Sequence, residues 1–205
     1  MCLALLVACA QTHEALRPVA DAPAGDAPAG RDDASAEGDA PEASPPPWTP
    51  PAGTDPACVS GARWTNGNAE SALMNPGQAC IACHRSDPRA PAYSAAGMLH
   101  YLDHEVDSCN GYTGSAPGGP SGLAVVELLD AMGQTVRVTS NPAGNFATRR
   151  PISFPLRSAR VIGPTGRVAE MGGPIPQGDC NGCHTTDGTT TGSGDPAPGR
   201  VIVPL

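Results

Sequence analysis

Two short stretches of this sequence pair thiols with an imidazole. The first reads QACIACHR (78–85) and the second GDCNGCHT (178–185). In each, two cysteines stand three positions apart and a histidine follows directly, although the 205-residue chain has only 5 histidines. Thiols at this spacing can bind a metal, cycle as a dithiol or form thioethers, and an adjacent imidazole can ligate a metal. The residues are Cys80, Cys83 and His84 in the first stretch and Cys180, Cys183 and His184 in the second.

The order Cys-x-x-Cys-His is the attachment signature of c-type haem. Two thiols about one turn apart reach the two vinyl groups on one porphyrin edge, and the next imidazole then becomes the proximal ligand of the iron. Covalent attachment also suits a chain with 3% aromatic residues, because thioethers retain an apolar cofactor that a thin core would lose. We therefore predict two covalently attached haem c groups, one at each motif.

Other uses of the four thiols stay open as alternatives. A redox dithiol usually opens a helix in a thioredoxin-like βαβ setting, and the sequence has no such pattern. Zinc ribbons separate their cysteine pairs by about 15–20 residues, whereas these pairs are about a hundred residues apart. Zinc would also leave both motif histidines unexplained. A structural zinc or disulfide module, with the surrounding domain used for surface binding, is the remaining alternative of this kind.

The function depends on what fills the sixth position of each iron. An iron with two protein ligands transfers electrons, and one with an open position binds small molecules. His100 and His104, four positions apart in GMLHYLDHEVDSC, are candidate ligands, and so are Met74 and Met171, which precede the motifs among Pro and Gly. We predict an electron carrier that is not an enzyme, and keep a dihaem peroxidase or small-molecule reductase as the alternative.

Four cysteines lie outside the two motifs. Cys58 and Cys109 flank the first motif, and in an exported protein they predict a disulfide. Cys2 and Cys9 belong to the opening segment MCLALLVACA, which resembles the lipobox of bacterial lipoproteins and implies lipidation of Cys9. A signal peptide requires Lys or Arg before its apolar run, and none precedes this one. The other interpretation is therefore that these are ordinary buried residues.

Composition divides the chain into three parts. A lipoprotein-type signal segment (1–9) and a disordered tether rich in Ala, Pro, Asp and Gly (10–57) precede a folded domain (58–205). The tether supplies most of the net charge of −8, which disfavours nucleic acid as a partner. We predict an exported protein, held by lipid at the cell envelope on the periplasmic or outer face of the outer membrane. Its expected partners are other cytochromes, and self-association into an oligomer or filament stays open.

The elements that must position the motifs are short strands. Turn sequences separate five short segments, 122–130, 135–140, 144–149, 157–163 and 166–171, and in the second of these Val136 and Val138 alternate with polar residues. Segments 96–102 and 199–205 would add outer strands. No long amphipathic helix is expected.

Two families share these features. The segment 97–171 resembles the transthyretin-type or carboxypeptidase-regulatory β-sandwich through its strand–turn rhythm and Gly144 and Phe146. The whole from Cys58 onward resembles small dihaem cytochrome lipoproteins of exported bacterial electron-transfer chains, which implies that both motifs carry haem. The predicted fold is therefore mainly β: an immunoglobulin- or transthyretin-like sandwich with a haem-binding loop at each end, preceded by a disordered tether.

Overall fold

The computed structural model of the protein describes residues 57–115, 121–171, 174–189 and 197–205. The predicted signal segment with Cys9, and the predicted tether up to residue 56, lie outside the described residues. Within the described part the regular structure is mainly β, as predicted, with seven strands, one short helix and one 3₁₀ turn. No helix in this part is long and apolar enough to span a membrane.

The seven strands form two sheets. One has three strands in the order β4-β1-β7 and the other has four in the order β3-β2-β5-β6. Two sheets of this kind are consistent with the predicted sandwich, and its immunoglobulin or transthyretin type stays a prediction. The bounds are β1 (Ala95–His100), β2 (Val125–Leu129), β3 (Thr135–Thr139), β4 (Asn145–Thr148), β5 (Ser158–Ile162), β6 (Val168–Met171) and β7 (Val201–Ile202).

The four-stranded sheet follows from the alternation of its side chains. Val126 and Leu128 of β2 and Val136 of β3 point into the buried core, while the residues between them are more exposed. The turn joining β2 to β3 is held by Asp130, whose Oδ1 accepts hydrogen bonds from the backbone N–H groups of Met132 and Gln134. Strands and turn are therefore both specified locally.

Strand β1 corrects one expectation. Segment 96–102 was expected to be an outer strand, but β1 is the central strand of its sheet and is buried at every position. Ala95 and Leu99 join the main core, while Met98 on the opposite face contacts the segments that carry the motifs. A strand covered on both faces needs a nearly continuous apolar sequence, and AAGMLH provides one.

The predicted disulfide is present. The Sγ atoms of Cys58 and Cys109 are 1.98 Å apart, across a sequence separation of 51 residues. Both cysteines are buried. The bond therefore ties the chain entering the domain to the loop that follows β1.

Candidate functional site

The first motif lies on a single short helix, α1 (Cys80–Ser86). Cys80 and Cys83, three positions apart, fall on one face of the helix. The helix ends at Ser86, because its C-cap Asp87 precedes Pro88 and is extended, and the Asp87 N–H bonds to the carbonyl of His84. The two thiols and the imidazole are therefore presented by about two turns of one rigid element.

The second motif lies on a tighter turn. Residues Cys180–Gly182 form a 3₁₀ turn, and the N–H groups of Cys183 and His184 both bond to the carbonyl of Cys180. After the motif, the Thr189 hydroxyl donates to the carbonyl of Cys183 at 3.0 Å. The chain thus folds back on itself directly behind the second pair of thiols.

Both motif histidines are oriented by the same kind of hydrogen bond. His84 Nδ1 lies 2.9 Å from the carbonyl oxygen of Pro91, and His184 Nδ1 lies 2.8 Å from that of Gly199. A carbonyl can only accept, so Nδ1 carries the proton and Nε2 of the neutral ring keeps a lone pair. Burial lowers the pKa of His184, an effect partly offset by its bond to Gly199. Each imidazole is thereby fixed in the tautomer that can ligate a metal through Nε2.

A cavity opens beside the first motif. It has a volume of about 690 Å³, within the size range of cofactor sites. Both thiols and His84 of the first motif line it, together with a mixture of apolar and polar groups that includes the charged side chains of Glu70, Asp87 and Arg89. The Tyr93 ring stacks near the His84 ring with 5.0 Å between centroids. Apolar lining residues include Met74, Pro91, Tyr93, Ala96, Phe146 and Ala147.

The two motif segments meet in space, although they lie on opposite sides of the strands in the sequence. The chain order is as predicted, with one motif before the strands and one after them. In space, α1 and the 3₁₀ turn contact each other and both pack on β1. Gly97 permits this, because a Cβ there would lie 2.8 Å from Cys180 Cβ and 2.8 Å from Phe146 Cζ. Asp179, next to Cys180, forms a parallel bridge with Ala96 of β1, and β7 then pairs in parallel with β1 at Leu99 and Val201.

Burial changes the ionisation of two of the four motif thiols. None of the four motif cysteines is in a disulfide. Burial raises the pKa of Cys80 and of Cys180 to about 12, whereas reactive dithiols have lowered pKa values. Among the described residues, the one group of three potential ligand atoms within 4.8 Å is Cys58, Glu105 and Cys109, and its sulfurs already form the disulfide.

The predicted sixth ligands occupy four different settings. Met74 lines the cavity at the first motif. His104 lies beside the second motif, with Nδ1 2.7 Å from the carbonyl of Thr186. His100 is fully buried, both ring nitrogens lack a hydrogen-bond partner, and burial followed by the charge of Arg200 lowers its pKa to about 3. Met171 ends edge strand β6 with an exposed side chain.

Sequence reasoning missed three residues that connect the motifs. Asp179 and Asn181 flank Cys180 and are buried, 7% and 3% exposed. Arg200 is also buried and donates to carbonyls of both motif regions, those of Gly77 and His184. In the sequence, Asp179 and Asn181 stand out only as polar neighbours of Cys180, and Arg200 is only one of 12 basic residues.

The residues fit covalently bound haem. At the first motif, two thiols on one face, an oriented imidazole with a neutral Nε2 and a cavity partly lined by apolar side chains match the donor set that such a group requires. Buried His100, whose ring nitrogens have no hydrogen-bond partner, is not among the residues that line this cavity. No protein-family model, curated protein or solved structure matches this chain.

Proposed function

We propose that the protein is an exported dihaem c-type cytochrome that carries electrons between protein partners or along a chain of haems. Cys80, Cys83 and His84 would hold one haem, and the corresponding residues of the second motif, Cys180, Cys183 and His184, the other. Bound haem iron supplies one-electron chemistry between its ferric and ferrous states. The remaining steps belong to the protein, which binds, orients and shields that group.

The observation that carries the proposal is the repeated setting of the motif histidines. In both motifs Nδ1 donates to a backbone carbonyl, that of Pro91 or of Gly199, at 2.9 and 2.8 Å. This bond directs Nε2 outward and raises its basicity as a ligand. Neither a zinc clamp built from the thiols nor a dithiol would need such orientation of an imidazole. Its repetition at both motifs supports the same use for each.

We assign the candidate sixth ligand of each iron from its position relative to the motif histidine. Met74 is the candidate for the first site, because it lines the same cavity as His84. For the second site we propose His104, whose Nδ1 bonds to the carbonyl of Thr186 while its Nε2 lies 3.6 Å from Asp103 Oδ2 and would have to leave that carboxylate to bind iron, with His100 as the buried alternative. Met171 stays a prediction from sequence. A site with no sixth protein ligand would instead favour a peroxidase or small-molecule reductase, and carbon monoxide binding to the ferrous protein distinguishes the two cases.

The proposed location is the cell envelope, with a lipid anchor on Cys9. The buried disulfide between Cys58 and Cys109 supports this location, because disulfides persist in oxidising compartments. The proposed partners are other cytochromes, and contact through self-association is a further possibility to be measured.

The test is a haem count. The chain is expressed with a cytochrome c maturation system, and covalent haem per chain is measured by pyridine haemochrome absorbance and by intact mass under denaturing conditions. We expect two haems in the natural sequence and one in each of C80A/C83A and C180A/C183A. A matched control, C58S/C109S, removes two cysteines outside the motifs and retains two haems. Colourless protein, or protein with zinc at the motif thiols, would refute the proposal.

A further inference from the structure

Asp179 and Asn181 join the two motif segments directly. Asp179 Oδ2 accepts a hydrogen bond from the backbone N–H of Ala82 in α1 at 2.8 Å, and Asn181 Nδ2 donates to the carbonyl of Gln78 at 2.9 Å. The Asn181 side-chain oxygen also accepts the N–H of Met98 in β1 at 3.0 Å. Polar side chains of the second motif are thus buried in bonds to the first motif and to the strand beneath both.

This contact lies beside the attachment cysteines. Asn181 Nδ2 lies 3.9 Å from Cys80 Sγ, and the 3₁₀ turn that carries Cys180 packs against α1. A buried polar group that loses its hydrogen-bond partner destabilises the fold. The contact therefore persists only while both segments stay in register.

We propose that Asp179 and Asn181 are positioning residues that hold the two haem-attachment segments together, so that the two haems form one coupled redox pair. This inference rests on the proposed function. Within the pair, one electron leaves a ferrous iron, which becomes ferric, and reduces the other iron from ferric to ferrous, so no further reactant is needed. An electron on one iron also disfavours a second electron on its neighbour, because like charges repel more strongly at short range and low dielectric.

The coupling test compares protein with two haems to protein with one. The samples are the natural sequence and the single-site variants C80A/C83A and C180A/C183A, each with its haem content measured first. Paramagnetic resonance spectra of the oxidised forms and reductive titrations are recorded. We expect the two-haem spectrum to differ from the sum of the single-haem spectra. We also expect the gap between the two reduction potentials to be wider in two-haem protein than between the two single-haem variants. The extra gap should be at least about 59 mV, which is a tenfold change in a one-electron equilibrium constant.

Three further variants test the positioning role. Asn181→Leu removes both side-chain bonds at similar volume and is expected to reduce the separation and restore spectral additivity. Asp179→Asn keeps an acceptor oxygen for the N–H of Ala82 and is expected to preserve the coupling. Leu128→Ala is the control, because it destabilises the four-stranded sheet, which does not contain β1, and should leave the coupling unchanged.

The outcomes separate the two proposals. Protein without haem overturns both the function and the pairing. Two haems with additive spectra and single-haem potentials leave the function standing and overturn the pairing. Coupling that survives Asn181→Leu, or that is lost equally in Leu128→Ala, overturns the positioning role. If Asn181→Leu does not fold, Asn181→Ser takes its place, and the comparison with single-haem protein still decides the coupling.

Discussion

At the scale of the residue, single acceptors and donors determine what each motif side chain can do. Pro91 and Gly199 contribute only backbone carbonyls, yet these set the tautomers of both motif histidines. Met74 contributes a thioether, a recognised iron ligand that raises the reduction potential relative to histidine. The settings of these side chains therefore lead to predictions about ligation and about pH.

The first prediction concerns the sixth ligand at the first motif. Met74→Ala removes the thioether from the cavity that also contains His84. We expect the ferrous variant to bind carbon monoxide at one haem per chain, because the iron loses its sixth protein ligand. The measurement is the Soret difference spectrum during titration. Exposed Met132→Ala is the control, and equal carbon monoxide binding by both variants would contradict the assignment.

The second prediction concerns Asp130 and acid stability. Burial would raise the Asp130 pKa, but bonds from the N–H groups of Gln134, Ser153 and Met132 outweigh it and lower that pKa. Ionised Asp130 thus stabilises the fold above the ordinary carboxyl pKa, and this contribution is lost as pH falls through the lowered value. We expect Asp130→Asn to be less stable than the natural chain at pH 7 and to lose less stability on acidification.

Urea unfolding of the protein at pH 7 and pH 3 measures this effect. Glu170→Gln, at an exposed position of β6, is the control and should keep the natural difference between the two pH values. An Asp130→Asn variant with that same difference would show that the turn carboxylate does not contribute.

At the scale of the element, β1 and the motif segments differ in how far sequence could predict them. Each predicted strand segment contains a strand, because alternation and turn residues are local signals. The pairing of the motif segments had no such signal, because Asp179 bonds to Ala82 across 97 positions and Asn181 to Gln78 across 103. The apolar sequence AAGMLH is sufficient to predict that β1 is buried on both faces. It does not identify the segments that cover the strand.

The third prediction tests the close approach over β1. A Cβ added at Gly97 would lie 2.8 Å from Cys180 Cβ, so Gly97→Ala forces the second motif away from the strand. We expect a loss of about 1–3 kcal/mol in the free energy of unfolding, typical of overpacking. Thermal or urea unfolding of the haem-free chain measures it.

Gly182→Ala provides a matched control inside the second motif. The nearest atom to an added Cβ there is Asp179 Cγ at 3.7 Å, an ordinary van der Waals contact. This variant is expected to keep the stability of the natural chain to within about 0.5 kcal/mol. Equal losses at the two glycines would mean that the approach of Cys180 to β1 is not what constrains Gly97.

At the scale of the whole molecule, two kinds of cross-link join distant parts of the chain. The disulfide joins Cys58 to Cys109. The buried guanidinium of Arg200 joins the C-terminal segment to both motif regions and to the loop after β1. The first acts covalently, and the second through several hydrogen bonds at once.

The fourth prediction concerns the disulfide. C58S/C109S is expected to lower the free energy of unfolding by about 2–5 kcal/mol, because the unfolded chain regains the entropy of an open loop. Urea unfolding of the variant, beside the natural chain with and without reductant, measures the effect. Reductant should destabilise the natural chain and leave the variant unchanged, and the opposite pattern would contradict a stabilising bond at this position.

The fifth prediction concerns Arg200. Its side chain is 1% exposed, and its donors reach carbonyls at Gly77 and Glu105, both at 2.9 Å. Arg200→Met leaves these buried acceptors without a donor and the half-exposed Asp107 carboxylate without its partner, so we expect a loss of about 1–3 kcal/mol, mainly from the buried carbonyls. The exposed pair of Arg89 with Asp87 supplies the control, because Arg89→Met should cost at most about 1 kcal/mol. Lysine has a single ammonium group where arginine has a guanidinium with several N–H donors, so the stability of Arg200→Lys should lie between those of Arg200→Met and Arg89→Met. Equal stability of these three variants would show that Arg200 does not connect the motif regions.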